Sequence, residues 1–243
     1  MGWPNNFVQG VYNSNNELIA VEDGAGGQIG LAATYTWATK PLASAYIGTA
    51  FISDIGGGTY WISNGVRWKP LNGVCNYWSN NGTYTILDVT RNAGALTLAD
   101  VVYTVPLEIG MWKDGDFLEL KHQLYKVGVS DTLGIKIFST TDTGTLTEAN
   151  YLGVDMPLSA AQRRLYSDII FMRESATTIS VITTTSGIPT ASSTAYSANT
   201  YTLPASMDTT KIYLQFTAYR STTVATTDDL EIHFSKLRLN SAV

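Results

Sequence analysis

The 243-residue sequence predicts an all-β fold, with short N-terminal β-hairpin segments followed by a two-sheet, jelly-roll-like β-sandwich. Three observations carry this reading. Charged residues make up 14% of the chain against about 25% in an average domain, while roughly fifty Ser and Thr residues give a polar, uncharged surface among β-branched strand formers. Apolar residues recur with a period of two over long runs after Val74, which is the spacing of a strand with one covered face. Links rich in Pro, Gly, Ser and Thr separate those runs, and the length suffices to bury a core.

The N-terminal part is short-stranded. Gly2 to Asn6 is turn-rich, and Phe7 to Tyr12 and Glu17 to Val21 read as two strands around an Asn-rich turn at 13–16. Residues 23–30, DGAGGQIG, read as a link: the glycines do not follow a dinucleotide fingerprint, and no strand-then-helix context surrounds them. Leu31 to Tyr46 is Ala- and Thr-rich and yields no firm element, with Lys40-Pro41 ending any that forms. Tyr60–Ser63 and Val66–Lys69 then flank Asn64-Gly65, a pair that favours a two-residue turn because both central positions need φ > 0. That turn sets Trp61 opposite Trp68 and Tyr60 opposite Lys69, with both indoles on one face. The other face, Ile62 with Arg67 and Tyr60 with Lys69, is expected to be wet. A lone hairpin is marginal in water, so the Trp61 and Trp68 face must be covered by another part of this chain or by a further copy of it, and closure in a homotrimer is the expectation.

The segment TAFISDIGG, the aromatic strand after it, then SNG, R-W and the exit Pro70-Leu71-Asn72-Gly73 resemble the short hairpin module of bacteriophage tail-fibre and other virion fibre proteins. The resemblance covers Ala43 to Gly73, and GVYNSNNELIAVEDG from Gly10 to Gly24 is similar to β-hairpins of the same proteins. It implies a homotrimer in which the module joins an N-terminal attachment segment to a C-terminal β domain and holds no catalytic residues. The expected organisation is therefore 1–46 as attachment segment, 47–73 as Trp-rich β-hairpin module with Trp61 and Trp68 as assembly interface, and 74–243 as C-terminal jelly-roll-like domain.

Within 74–243, Val101, Tyr103, Val105, Leu107, Ile109 and Met111 share one phase, and Asp114-Gly115 predicts a two-residue turn. The turn pairs Met111 with Leu118, Ile109 with Leu120, Leu107 with His122 and Val105 with Leu124. Tyr125, Val127 and Val129 lie on the opposite phase, as in a strand covered on both faces or bulged. Leu133–Ser139 and Ile169–Met172 read as strands, and Ser159–Leu165 between them reads as one or two helical turns on a Ser N-cap. Thr177–Thr183 and Ile212–Tyr219 alternate as sandwich strands. In the last strand Leu230, Ile232 and Phe234 share one phase and Leu237 and Leu239 the other, the slip that a bulge near Ser235-Lys236 produces. Seven or eight strands and one short helix result.

Several function classes are excluded or left without support. The net charge of −5 is thinly spread with no Lys/Arg cluster, so no nucleic-acid groove is expected. Cys75 is the only cysteine, so no intrachain disulfide exists, and it reads as a buried small hydrophobe. No apolar run approaches the ~18 residues of a membrane span, and MGWPNNFVQG lacks an export signal, so the expectation is cytoplasmic assembly without membrane insertion and exposure on the virion. Asp114-Gly115-Asp116, Asp142-Thr143-Gly144 and Asp228-Asp229 read as turns, and the histidines lie far apart, so no metal and no cofactor are expected. His122 falls on a core-facing phase and His233 on an outward one, while Asn81-Gly82-Thr83 reads as a turn. A glycosidase needs two carboxylates ~5–10 Å apart across a cleft; the acids lie mostly in turns, and enzymatic activity is not expected.

Sugar binding asks for less: aromatic faces for the ring C–H groups and polar partners on loops. Tyr196 and Tyr201, in the link 186–204, and Tyr219 with Arg220 at a strand end are the candidates, with ordinary surface or trimer-interface tyrosines as the competing reading. The leading expectation is a trimeric virion fibre or spike that meets other virion proteins through its N-terminal part and a host-surface glycan or protein through its β domain. A capsid-decorating head fibre, a lectin-like module outside virions and a depolymerase are the alternatives.

Overall fold

A computed structural model describes residues 10–12, 18–22, 28–30, 33–71, 73–80, 84–86, 101–128, 132–142, 146, 150–188, 195–220 and 229–241; the turns expected at 13–16, 81–83, 143–144 and 228 lie outside them. Strands β1 (Gly10–Tyr12), β2 (Leu18–Glu22) and β3 (Gln28–Gly30) form a three-stranded antiparallel sheet. The sequence reading of 23–30 as a link is corrected at its end, where Gly30 pairs with Ala20 and Ile29 with Val21.

A second sheet, ordered β4-β5-β6-β7, is made of β4 (Ala33–Tyr35), β5 (Ile47–Ile52), β6 (Thr59–Asn64) and β7 (Trp68–Pro70), with β4 running parallel to β5. The β6–β7 register differs from the expected one by two residues: Ser63 faces Trp68, Ile62 faces Lys69 and Trp61 faces Pro70. The reason is local. Asn64 Oδ1 accepts hydrogen bonds from the backbone N–H groups of Val66 and Arg67, both at 3.0 Å, so the side chain closes a longer loop than a two-residue turn. A slip of two preserves the faces, and both indoles remain on one side.

That side is covered by the chain itself. Trp37 meets Trp61 edge-on with ring centroids 4.8 Å apart, and Tyr46 stacks on Trp68 at 5.2 Å. The Trp68 indole donates to the Pro41 carbonyl and Ser63 to the Ala43 carbonyl. Trp61 is 0% exposed and Trp68 5%. The assignment of Trp61 and Trp68 as an assembly interface is therefore corrected: residues 37–46, which gave no element in the sequence, supply the cover that further copies were expected to supply.

The remaining strands are β8 (Val74–Asn80), β9 (Tyr84–Ile86), β10 (Val101–Leu107), β11 (Phe117–Val127), β12 (Leu133–Thr140), β13 (Tyr151–Leu158), β14 (Arg164–Ser175), β15 (Thr178–Ile188), β16 (Ala195–Thr202), β17 (Ile212–Arg220) and β18 (Asp229–Asn240). They form a seven-stranded sheet, β16-β15-β14-β11-β18-β8 with β9 also on β18, and a four-stranded sheet, β10-β17-β12-β13. The arrangement is sandwich-like and all-β. Leu118, Leu120, Leu124, Ile169, Phe171, Ile232 and Leu237 from one sheet and Val105, Ile135, Ile137, Val154, Leu214 and Phe216 from the other are buried in one apolar core.

Four expectations are corrected here. Asp114-Gly115 does turn the chain, with Asp116 N–H donating to the Lys113 carbonyl and Gly115 at φ +84°, but residues 108–116 do not close a hairpin. β10 pairs with β17, Leu107 facing Ile212 and Val105 facing Leu214, while β11 pairs with β14 and β18. The chain crosses between sheets through a turn at Gly110 (φ +68°), where Met111 N–H donates to the Glu108 carbonyl, and Met111 and Trp112 are both buried in succession. His122 consequently faces Ser167 and Ser235. Second, Ser159–Leu165 is a turn: Gln162 N–H donates to the Ser159 carbonyl, its side-chain oxygen accepts from Ser159 N–H, and Arg164 already opens β14. Third, the link 186–204 contains β16, laid against β15. Fourth, Val127 is exposed and Lys126 buried, with the Lys126 ammonium donating to the carbonyls of Ser159 (2.6 Å) and Ala160 (3.2 Å). The slip in the last strand is present but earlier than the expected Ser235-Lys236: His233 is the extra residue between Phe234, which faces Gln123, and Ile232, which faces Leu124.

Candidate functional site

The four-stranded sheet turns Ile135 and Ile137 of β12, Leu152, Val154 and Met156 of β13, and Phe216 and Ala218 of β17 into the core. Alternation sends the residues between them to the other face. Lys136, Asp155 and Tyr219 thereby come to one face, on which Phe138, Gln215 and Thr217 are themselves buried, and Tyr151 joins them because a bulge in β13 sets it opposite Phe138. Gly153 (φ +64°) occupies the bulge, a conformation that suits glycine. Lys136 and Asp155 are direct cross-strand neighbours. The ammonium nevertheless sits between two aromatic rings, 5.4 Å from the centroid of Tyr151 and 5.3 Å from that of Tyr219. Tyr219 donates its hydroxyl to Asp155 Oδ1 at 2.5 Å.

The Tyr219 ring reaches this position because Gly134 faces it across the strands; a Cβ there would lie 2.7 Å from Tyr219 Cε1 and 2.8 Å from the Met156 carbonyl oxygen. Burial raises the Asp155 carboxyl above its ordinary range, opposed by the Tyr219 hydrogen bond and by Lys136. Burial, then Asp155, pushes the Tyr219 phenol up, so it stays a donor. The result is a platform of two rings carrying one cation and one carboxylate.

The candidates named from sequence are distributed unevenly about it. Tyr219 is in the cluster, and Arg220 follows it at the end of β17, opposite Leu133. Tyr201 lies on the edge strand β16, partly buried against the core, and a Cβ at Gly153 would overlap its hydroxyl; it reaches β13 as a packing residue. Tyr196 sits on β16 opposite Thr184 and belongs to the same edge. Lys136, Tyr151 and Asp155 were not named from the sequence. The alternation of Leu152, Val154, Met156 and Leu158 in β13 was the available signal, since it places Tyr151 and Asp155 between buried positions.

Two further polar clusters are closed. His122 and Ser235 are both 0% exposed, and Nδ1 of His122 is hydrogen-bonded to Ser235 and, at 3.3 Å, to the Tyr103 hydroxyl. Burial lowers His122 to about 3, so it is neutral, and its depth between the sheets keeps this serine and histidine from a substrate. The other cluster locks the hairpin sheet to the sandwich. Buried Asp116 accepts from Lys113 N–H (2.9 Å), from Arg67 Nη1 (3.2 Å) and from Ser241 (3.1 Å). Buried Arg173 donates to Asp114 (2.7 Å), to Asp208 (2.9 Å) and to the Trp112 carbonyl. The Trp37 indole adds a bond to the Ile109 carbonyl at 3.0 Å.

No family model and no curated protein match this sequence. Among solved structures, the chain is similar to a GH43 glycoside hydrolase whose active site was engineered to give both endo-xylanase and exo-arabinofuranosidase activity, with a TM-score of 0.34 and 12% identity over 95% of this chain and 48% of that one. The chain thus spans about half the length of that enzyme. The expectation that this protein is not an enzyme meets a contrary neighbour and is withdrawn; at this TM-score the likeness carries no argument for an activity.

Proposed function

We propose that this chain is a virion fibre or spike protein that joins its particle through residues before Gly73 and displays the sandwich for binding a host-surface saccharide. The observation that carries the binding half is the outward cluster of Lys136, Tyr151, Asp155 and Tyr219, which combines ring faces with charged hydrogen-bonding groups on a rigid sheet. The resemblance of residues 43–73 to virion fibre modules supports the attachment half, and so does the break in sheet membership between Pro70 and Val74. Assembly as a homotrimer belongs to this reading, with surfaces other than the Trp61 and Trp68 face as contacts.

Two measurements test it. Labelled antibody against the chain should decorate intact particles, and Tyr219→Ala should abolish binding of the full chain to host polysaccharide while leaving decoration unchanged. Undecorated particles would remove the virion role, and polysaccharide binding indifferent to Tyr219 would remove the site.

A further inference from the structure

The geometry points to an anionic saccharide as the ligand of the outer-face cluster, its carboxylate or sulfate group held by the Lys136 ammonium and its C–H faces by the rings of Tyr151 and Tyr219. This rests on the saccharide-binding reading above and adds the charge of the ligand. Lys136 stands directly opposite Asp155 across β12 and β13, where oppositely charged side chains ordinarily pair. Here the carboxylate receives the Tyr219 hydroxyl, and the ammonium is held between the rings of Tyr151 and Tyr219. Ring faces satisfy the charge of an ammonium but accept its N–H groups only weakly, so its three donors keep capacity for an oxygen anion. A charged oxygen forms the stronger hydrogen bond with such a donor, and a neutral hydroxyl gains much less.

The surroundings fit that use. Tyr219 is held flat by the space at Gly134 and fixed by Asp155, so one wall of the cation's seat is set before ligand arrives. Asp155 is the one carboxylate of the cluster and acts against an anionic ligand. Its charge is therefore a handle on the inference: removing it should favour an acidic sugar over a neutral one.

The test is a calorimetric titration of the full chain with galacturonate oligosaccharides, sulfated galactan oligosaccharides and neutral galactan oligosaccharides of matched length. At least one anionic set should bind about tenfold or more tightly than the neutral set, and weaken as salt is raised; comparison of the two anionic sets identifies carboxylate or sulfate as the group held. Lys136→Gln should remove that tenfold and bring the anionic sets down to the level of the neutral one, Lys136→Arg should restore most of it, and Asp155→Asn should tighten anionic binding severalfold. Circular dichroism on each variant separates loss of fold from loss of charge. Neutral and anionic sets binding alike, with Lys136→Gln without selective effect, overturn the charge inference and leave the saccharide reading standing. Failure of all three sets to bind overturns both.

Discussion

The joint between hairpin sheet and sandwich and the outer face of the four-stranded sheet both set charges beside aromatic rings, yet to opposite ends. At the joint, Asp116 is 1% exposed and takes three donors, and Arg173, 3% exposed, gives its donors to two carboxylates and a carbonyl. On the outer face Lys136 and Asp155 oppose one another without pairing, and the cation rests against rings. Buried charges persist where their partners are all present, because a stranded one is costly. A half-buried cation against rings tolerates incomplete pairing and leaves capacity for a ligand. Closure marks structure, and incompleteness marks a site.

Four changes break or sharpen that contrast, in order of expected size. The largest is acid acting on the closed interior. His122 faces Tyr103 of β10, Ser167 of β14, Ser235 of β18 and Phe216 of β17, none of them charged, and its value of about 3 lies below the ordinary 6.5. The unfolded chain therefore binds more protons between these values, and stability falls as pH drops from 6.5 towards 3, by up to about 5 kcal/mol at ~1.4 kcal/mol per unit. Urea denaturation at stepped pH should show this slope, and His122→Leu should flatten it. Asp208, held low by Arg173 and Lys113, adds a loss only below the ordinary carboxylate value of 3.8.

Asp116→Ala comes next. It removes the acceptor shared by Arg67, Lys113 N–H and Ser241, with Arg67 keeping its bond to Ser241, and the expected cost is about 3 kcal/mol in urea denaturation. A cost near that of a surface charge would mean that the joint is not closed. Gly134→Ala should cost about 1–3 kcal/mol through overlap with the Tyr219 ring and the Met156 carbonyl, and should weaken saccharide binding as Tyr219 is displaced. Smallest is Lys136→Gln, expected within ~0.5 kcal/mol of the parent in stability. A loss of several kcal/mol would place Lys136 among the structural charges and remove the contrast.

The candidate site was partly legible in the sequence. Tyr219 was named as an aromatic residue beside Arg220 at a strand end, whereas Tyr196 and Tyr201 were placed in a link that proved to be β16. Lys136, Tyr151 and Asp155 were passed over because a lone charge or ring on a strand carries no signal until its cross-strand neighbours are known.

What the sequence determined by itself is the phase of each strand. Val105 and Leu107, Leu118 to Leu124, Leu230 and Ile232, and Leu237 and Leu239 all face the core as their spacing requires, and the bulge in β18 follows from the phase change between them. Alternation is a property of consecutive residues, so it survives any choice of partner. Partners and registers were decided in three dimensions. The crossing of 108–116 between sheets, the burial of Lys126 and the covering of Trp61 by Trp37 each depend on contacts between segments distant in sequence, whereas the two-residue slip at Asn64 is set locally by its own side chain. The seat of Lys136, with rings from β13 and β17 on either side, is of the same kind: three strands that meet only when the sheet closes.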